Sequence, residues 1–338
     1  MIRLCSLQME LVVGIKLRMV LAEEQNTSQE YWRQLLDKTR AMIDGRAIEE
    51  EFLGELRQTK QTGHNGCEFP LNLEKDGYLF FRGLIDSLDI QAARNEIFEQ
   101  LKNVDELEDP FGEGIFSHRS RRDELFKDRG EFWETVSNGE FLRKVTNGPV
   151  LQRLMSQVFG SPAVGFDYLF LRAVPRGRFT HLHCDSGFFT RATSRVLTCW
   201  IALTEITLDK GPLFVIEGSH RFMDIRNKFD NFDVVFNKEQ KASIDEDPVS
   251  FANKRNAKLL TTNFKPGDVL IFRMHTLHGA FENHATDDRI RLTCDIRYQP
   301  ISEPRDPRYF GVSPGGTTGA GYGELNGARP LTEDWHIR

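Results

Sequence analysis

Residues 180–189 read THLHCDSGFF, and His183-Cys184-Asp185 sits inside them. The chain on either side is apolar and β-prone, DYLFLRAVP before and RVLTCWIALTEI after. On an extended segment residues i and i+2 share a face, so His183 and Asp185 project together while Cys184 turns away. An imidazole and a carboxylate on one rigid strand make two metal ligands, and two ligands rarely hold a metal. Taken alone, a His-x-Asp is more often a polar strand edge than a site. A third donor has to come from another strand, and GDVLIFRMHTLHGAFEN supplies His275 and His278 after a short buried run, Val269 to Phe272.

Two histidines and one carboxylate, with coordination positions left over, are the donor set of the facial triad that binds non-haem Fe(II). Spacing does not choose between His275 and His278. The following strand, DDRIRLTCDIRYQP, strengthens the reading. With period two, Ile290, Leu292, Cys294, Ile296 and Tyr298 form one face, and Arg289, Arg291, Thr293, Asp295 and Arg297 the other. Buried arginines need partners. A dicarboxylate cosubstrate would provide one through the fork that guanidinium makes with carboxylate. The competing reading is a solvated face laced with ion pairs.

The elements that must position these groups fall into three zones. From Ser28 to Leu56 the apolar residues Trp32, Leu35, Leu36, Met42 and Ile43 recur at helical spacing. KDGYLFFRGLIDSLDIQAARNEIFEQL reads as strand, turn and helix, capped by Asp86 or Ser87, with Leu88, Ala92, Ile97 and Leu101 as its apolar positions. Between Gly165 and Pro300 short β-rich runs are divided by Gly, Pro and Asp turns, the pattern of an all-β sandwich or barrel. A charged stretch from His220 to Thr262 interrupts them, and so long an excursion inside a compact domain is expected to be a functional lid. After Pro304 the chain is rich in glycine and is expected to be irregular.

Composition excludes several classes. With 338 residues, 39% hydrophobic and 28% charged, the chain is an ordinary globular one that can bury a large core. A net charge of -6 gives no electrostatic reason to expect nucleic acid or an anionic membrane as partner. Five scattered cysteines without a CxxC fit a reducing compartment, so cytoplasm is the expected location. The N-terminal apolar run is broken by Arg3, Glu10, Lys16 and Arg18, which suits neither a membrane span nor a secretory signal.

In order along the chain, EKDGYLFFRGLID, HLHCD, TCWIALTEITLDKGPLFVIEGSH, GDVLIFRMHTLHGAFEN and RIRLT resemble the phytanoyl-CoA dioxygenase family of Fe(II)- and 2-oxoglutarate-dependent oxygenases, over about Glu74 to Pro300. The resemblance implies a mainly β fold with flanking helices, a double-stranded β-helix or cupin-like jelly roll. Together with the residue pattern it divides the chain into a helical extension at 1–70, the oxygenase domain at 71–304 with an insertion at 221–262, and a glycine-rich tail at 305–338; the resemblance itself reaches neither the extension nor the tail. It carries over His183, Asp185 and His278 as iron ligands, choosing His278 because Gly279 follows it. Arg289, eleven residues after that histidine, becomes the partner of the distal carboxylate of 2-oxoglutarate. Trp200, Thr198 and Arg172 join the cosubstrate pocket. Phe188, Phe189 and Arg291 are the expected substrate contacts, and His220 is read as structural. Relatives often carry Ser where this chain has Ala280.

The activity so implied consumes 2-oxoglutarate and O2, oxidises a C–H bond of a small-molecule substrate, most simply by hydroxylation, and releases succinate and CO2. Related halogenases have Gly or Ala at the position of Asp185, so the aspartate implies oxygenation. A homodimer is an assembly this reading admits. The alternatives are a jelly-roll binding protein without turnover and a non-redox metal enzyme on the same triad.

Overall fold

The computed structural model describes residues 39–60, 68–126, 129–230, 232–237, 239–312 and 314–315, with 32, 34 and 36 besides. Of the expected helix at 28–56, residues 28–31, 33, 35, 37 and 38 lie outside the described residues, as does most of the glycine-rich tail. The described residues from Ala41 onward form one compact unit.

A small hairpin opens it, β1 (Met42–Ile43) and β2 (Arg46–Ala47), followed by β3 (Leu53–Glu55). This corrects the helical expectation for 41–56. Asp44 and Gly45 both take positive φ, 51° and 71°, the paired left-handed geometry of a two-residue hairpin turn. An Asp-Gly pair adopts it at little cost, whereas it would break a helix. The residues counted toward a helical stripe, Met42 and Ile43, instead pair with Ala47 and Arg46.

Two five-stranded sheets carry the remainder. The larger orders β4 (Tyr78–Phe81), β10 (Val269–Arg273), β7 (Leu197–Ala202), β12 (Arg291–Pro300) and β5 (Ala163–Val174), all antiparallel. The smaller orders β3, β9 (Leu259–Thr261), β8 (Leu213–Ile216), β11 (His278–Ala280) and β6 (Thr180–His183), with β3 parallel to β9. This is the mainly β, jelly-roll arrangement expected. Two boundaries move. β3 puts residues 53–55 in the smaller sheet, so the chain enters the domain before residue 70. The excursion expected at 221–262 ends in β9, and it holds two helical turns, Met223–Phe229 and Pro248–Asn253.

Helices cover the outer face of the larger sheet. α1 (Glu68–Asp76) leads into β4, and α2 (Ser87–Asn103) starts where the Asp86 carboxylate accepts the Leu88 N–H at 2.8 Å. Ile90, Ala93, Ile97, Phe98 and Leu101 form its buried stripe, while Leu88 is 72% exposed because it lies in the first turn, off that stripe. Pro149 starts and Gly160, with φ 64°, stops the helix Pro149–Phe159, whose Leu151, Leu154, Met155 and Val158 are buried at helical spacing. Against these helices pack Ile290, Leu292, Cys294, Ile296 and Tyr298. The opposite parity of β12, Arg291, Thr293, Asp295 and Arg297, is also buried and turns toward the smaller sheet. Tyr78, Phe80, Trp200, Phe264 and Leu270 fill the space between the sheets beside it.

Candidate metal centre and adjoining cavity

β6 and β11 pair so that His183 lies directly opposite His278, with ring centroids 4.2 Å apart. The chain leaves β6 immediately after His183, and Asp185 takes a helical backbone conformation, φ -82° and ψ -13°. Its carboxylate nevertheless returns to the histidines. Oδ1 lies 3.9 Å from Nε2 of His183 and 3.9 Å from Nε2 of His278. One donor atom from each residue falls within 4.8 Å of the others, and all three side chains are buried.

Hydrogen bonds decide which atoms face inward. Nδ1 of His183 donates to the His181 carbonyl at 2.8 Å, and Nδ1 of His278 to the Thr276 carbonyl at 3.0 Å. A carbonyl only accepts, so both Nδ1 atoms carry the proton and both Nε2 lone pairs point at the centre. On Asp185, Oδ2 accepts from Thr198 Oγ1 at 2.6 Å and from Arg297 Nη2 at 2.8 Å. Oδ1 is therefore the ligand oxygen and Oδ2 the tethered one. Burial opposes the charge on Asp185, but Arg297, both imidazoles and the Thr198 hydroxyl together hold its carboxyl well below the usual carboxylate range. Burial pushes both imidazoles down, and for His183 the neighbouring His278 adds to it. Two neutral imidazoles and an ionised carboxylate are the protonation states a divalent metal requires of its ligands. Cys184 points away to Ser186, and burial raises its thiol to about 12, so it stays protonated.

Beside the triad lies a small cavity lined by His183, His278, Trp200, Arg172, Arg291 and Asp295, among others. Arg172 Nε donates to Asp295 Oδ2 at 3.1 Å. Arg291 is 2% exposed and gives one N–H to the Gly211 carbonyl. Burial, and then the adjacent Arg172, bring its pKa to about 9, which leaves it cationic at neutral pH. Arg291 Nε, Thr293 Oγ1 and Asp295 Oδ1 are buried without a partner. Such atoms cost free energy unless something polar meets them.

The expectation for Arg289 needs correction. Its side chain is 40% exposed and ion-paired to Glu113 and Asp287, away from the cavity. β12 begins only at Arg291, and Asp288 before it has φ 50°. The alternation that would turn Arg289 inward has not yet started there. Thr198 likewise engages Asp185 itself. Trp200 and Arg172 lie on the cavity wall. Phe188 and Phe189 are buried in the turn that follows Asp185, and Phe189 borders a second cleft with Phe229, Met274 and His275. His275 hydrogen-bonds Asp230 at 2.8 Å and takes no part in the triad. His220 is structural, its Nε2 meeting the Glu74 carbonyl at 3.0 Å. Gly77, at φ 77°, makes room for it, since a Cβ there would come within 2.2 Å of the His220 ring. The hold of Arg297 on Asp185 is a contact that strand parity alone could not specify.

The model of the phytanoyl-CoA dioxygenase family, PhyH, matches residues 73–291, which contain every one of these cavity and triad residues up to Arg291. The chain belongs to the phytanoyl-CoA dioxygenase family. This family member is 27% identical over 161 residues to the 1-deoxypentalenic acid 11-beta-hydroxylase of Streptomyces arenae, a match covering 45% of this chain and 55% of the hydroxylase. The match thus spans about half the length of that curated relative. Among solved structures, EctD from S. alaskensis in its apoform is 17% identical with a TM-score of 0.50, covering 84% of this chain and 92% of EctD. The non-heme alpha ketoglutarate dependent carbocyclase SnoK from nogalamycin biosynthesis is 17% identical with a TM-score of 0.48, covering 83% and 98%. At such identity the likeness to EctD speaks for the fold.

Proposed function

We propose that the chain is an Fe(II)- and 2-oxoglutarate-dependent oxygenase that hydroxylates a C–H bond of a small-molecule metabolite. The observation that carries this reading is the buried, pre-oriented triad beside a cavity whose Arg291 keeps an Nε without a partner. His183 Nε2, His278 Nε2 and Asp185 Oδ1 would hold Fe(II), and Thr198 and Arg297 keep Oδ2 from joining them. Bound there with 2-oxoglutarate and O2, the iron supplies the oxidising power for C–H cleavage, with succinate and CO2 as co-products.

The protein's own contribution is placement. Arg291 would pair with the distal carboxylate of 2-oxoglutarate, and its unpartnered Nε and the Thr293 hydroxyl would be met by that group. Thr293 then supplies a hydroxyl where Ala280, on the cavity wall, has none. Arg172, held by Asp295, adds a second positive charge, and the Trp200 ring forms an apolar wall that limits water. Phe188 and Phe189 remain proposed substrate contacts, Phe189 because it borders the cleft beside the triad's carboxylate turn. The hydroxylase relative supports hydroxylation as the outcome.

The same nitrogen and oxygen donors also suit Zn(II) or Mn(II) in a non-redox enzyme. The orphaned Arg291 and Thr293 atoms favour the oxygenase, since a simple hydrolytic site has no need of a dicarboxylate pocket. The test is succinate formation that requires 2-oxoglutarate and Fe(II) together, stimulated on screening metabolites. No succinate under any condition, with hydrolysis supported by Zn(II), would replace this reading.

A further inference from the structure

The segment after β12 returns to the site and places Tyr309 where sequence spacing gave no reason to look. Tyr309 is 1% exposed. Its carbonyl accepts the N–H groups of Asp167 and Tyr168 at 3.1 and 3.2 Å, which pins the segment to the middle of β5. The Gly311 N–H adds a bond to the Asp167 carboxylate at 2.7 Å, and Arg308 closes on Asp306. So anchored, the Tyr309 hydroxyl donates to the Phe188 carbonyl at 2.8 Å, and its ring lies 4.8 Å from that of Phe189.

Both contacts lead to the same carboxylate. Phe188 closes the turn that begins at Asp185, its N–H donating to the Asp185 carbonyl at 3.0 Å. Phe189 presents its ring to the Arg297 guanidinium at 4.9 Å, and Phe170 covers it at 4.3 Å. Arg297 in turn donates to Asp185 Oδ2. One tyrosine therefore bears on Asp185 twice, through the backbone that follows it and through the arginine that sets which oxygen is free. A buried tyrosine needs a partner for its hydroxyl wherever it lies; what sets Tyr309 apart is that this partner and its ring neighbour both belong to the turn that follows Asp185.

We propose that Tyr309 is a positioning residue for the metal centre, fixing Asp185 so that Oδ1 alone faces the two histidines. The proposal rests on the triad being the metal site, as argued above. The test is Co(II) titration of the full chain, followed by the ligand-field absorption of the bound ion, in wild type, Tyr309→Phe and Tyr309→Ala. Partners that orient metal ligands typically change metal affinity by about 10- to 100-fold when removed. Tyr309→Ala is expected to weaken Co(II) binding by about tenfold or more and to shift the absorption bands. Tyr309→Phe keeps the ring and is expected to lose only a few-fold. Phe132→Leu, in the helical layer, serves as a control of general destabilisation and should leave Co(II) affinity unchanged. Unaltered affinity and spectra in both Tyr309 variants would overturn the proposal. Co(II) affinity that falls equally in Phe132→Leu would also overturn it, since the effect would then be one of stability. If the His183→Ala protein binds Co(II) as tightly as wild type, the triad assignment itself fails and the proposal with it.

Discussion

Replacing Arg291 by alanine should cost the protein most of its affinity for 2-oxoglutarate. Arg291 is fully buried on the cavity wall, cationic at neutral pH, and has an Nε without a partner. Removing one partner of a buried charge pair costs about 2–5 kcal/mol, because the other charge is left unpaired. At about 1.4 kcal/mol per factor of ten, that range runs from about 30-fold to a few thousand-fold in affinity. Arg172 shares the cavity and would soften the loss, which places the expected effect toward the lower end. Arg291→Lys keeps the charge but not the fork, so it should fall between wild type and Arg291→Ala. Arg289→Ala removes two partly exposed ion pairs, each worth no more than about 1 kcal/mol, and should bind 2-oxoglutarate as wild type does. The assay is anaerobic calorimetric titration of 2-oxoglutarate into Fe(II)-loaded protein, with thermal unfolding as a control because Arg291 also bonds the Gly211 carbonyl. Normal affinity in a folded Arg291→Ala protein, with loss in Arg289→Ala, would refute the reasoning.

Other expectations concern the surroundings of the site. Thr198→Val removes a hydroxyl bond to Asp185 Oδ2 without changing shape, and metal affinity should drop by about 10- to 100-fold in equilibrium titration; no change would show that Arg297 alone orients the carboxylate. The stretch Met223 to Asn256 should gain hydrogen-exchange protection when 2-oxoglutarate and a productive substrate bind, because Asp233 ties it to Thr190 and Val234 to Gly187, on the turn after Asp185. Protection indifferent to ligands would make it a fixed wall. Far from the cavity, Arg122 pairs with Glu106 through Nε and Nη2, both residues being nearly inaccessible, and lies over the Phe132 ring. Glu106→Ala should therefore lower stability by about 3–5 kcal/mol in urea unfolding while leaving metal affinity intact.

The parts of the fold that strand parity governs are legible in the sequence. The split of β12 into an apolar face under the helices and a polar face toward the triad is the one its alternation predicts, because a strand buried on both sides still obeys period two. The sharing of one centre by His183, Asp185 and His278 follows from the family pattern; strand parity does not account for Asp185, which lies past the end of β6 in a helical turn and reaches the histidines from there. What was not legible depends on where a strand starts. Arg289 and Arg291 have equal parity, and only the turn at Asp288 decides that the first is outside. β9 is three residues long and buried throughout, too short to show a period at the end of a charged stretch. The hairpin at Asp44-Gly45 did have a signal, the most turn-prone dipeptide in that region, masked by apolar spacing that happened to continue a helix. Tyr309 had none, since its role comes from a return of the chain that no local pattern encodes.

The most direct measurement is an anaerobic absorption titration, Fe(II) followed by 2-oxoglutarate, on wild type, His278→Ala and His275→Ala. The account predicts a weak visible charge-transfer band at one iron per chain in wild type and in His275→Ala, and its loss in His278→Ala. A band that persists in His278→Ala and vanishes in His275→Ala, or that never forms in the wild-type protein, would contradict it.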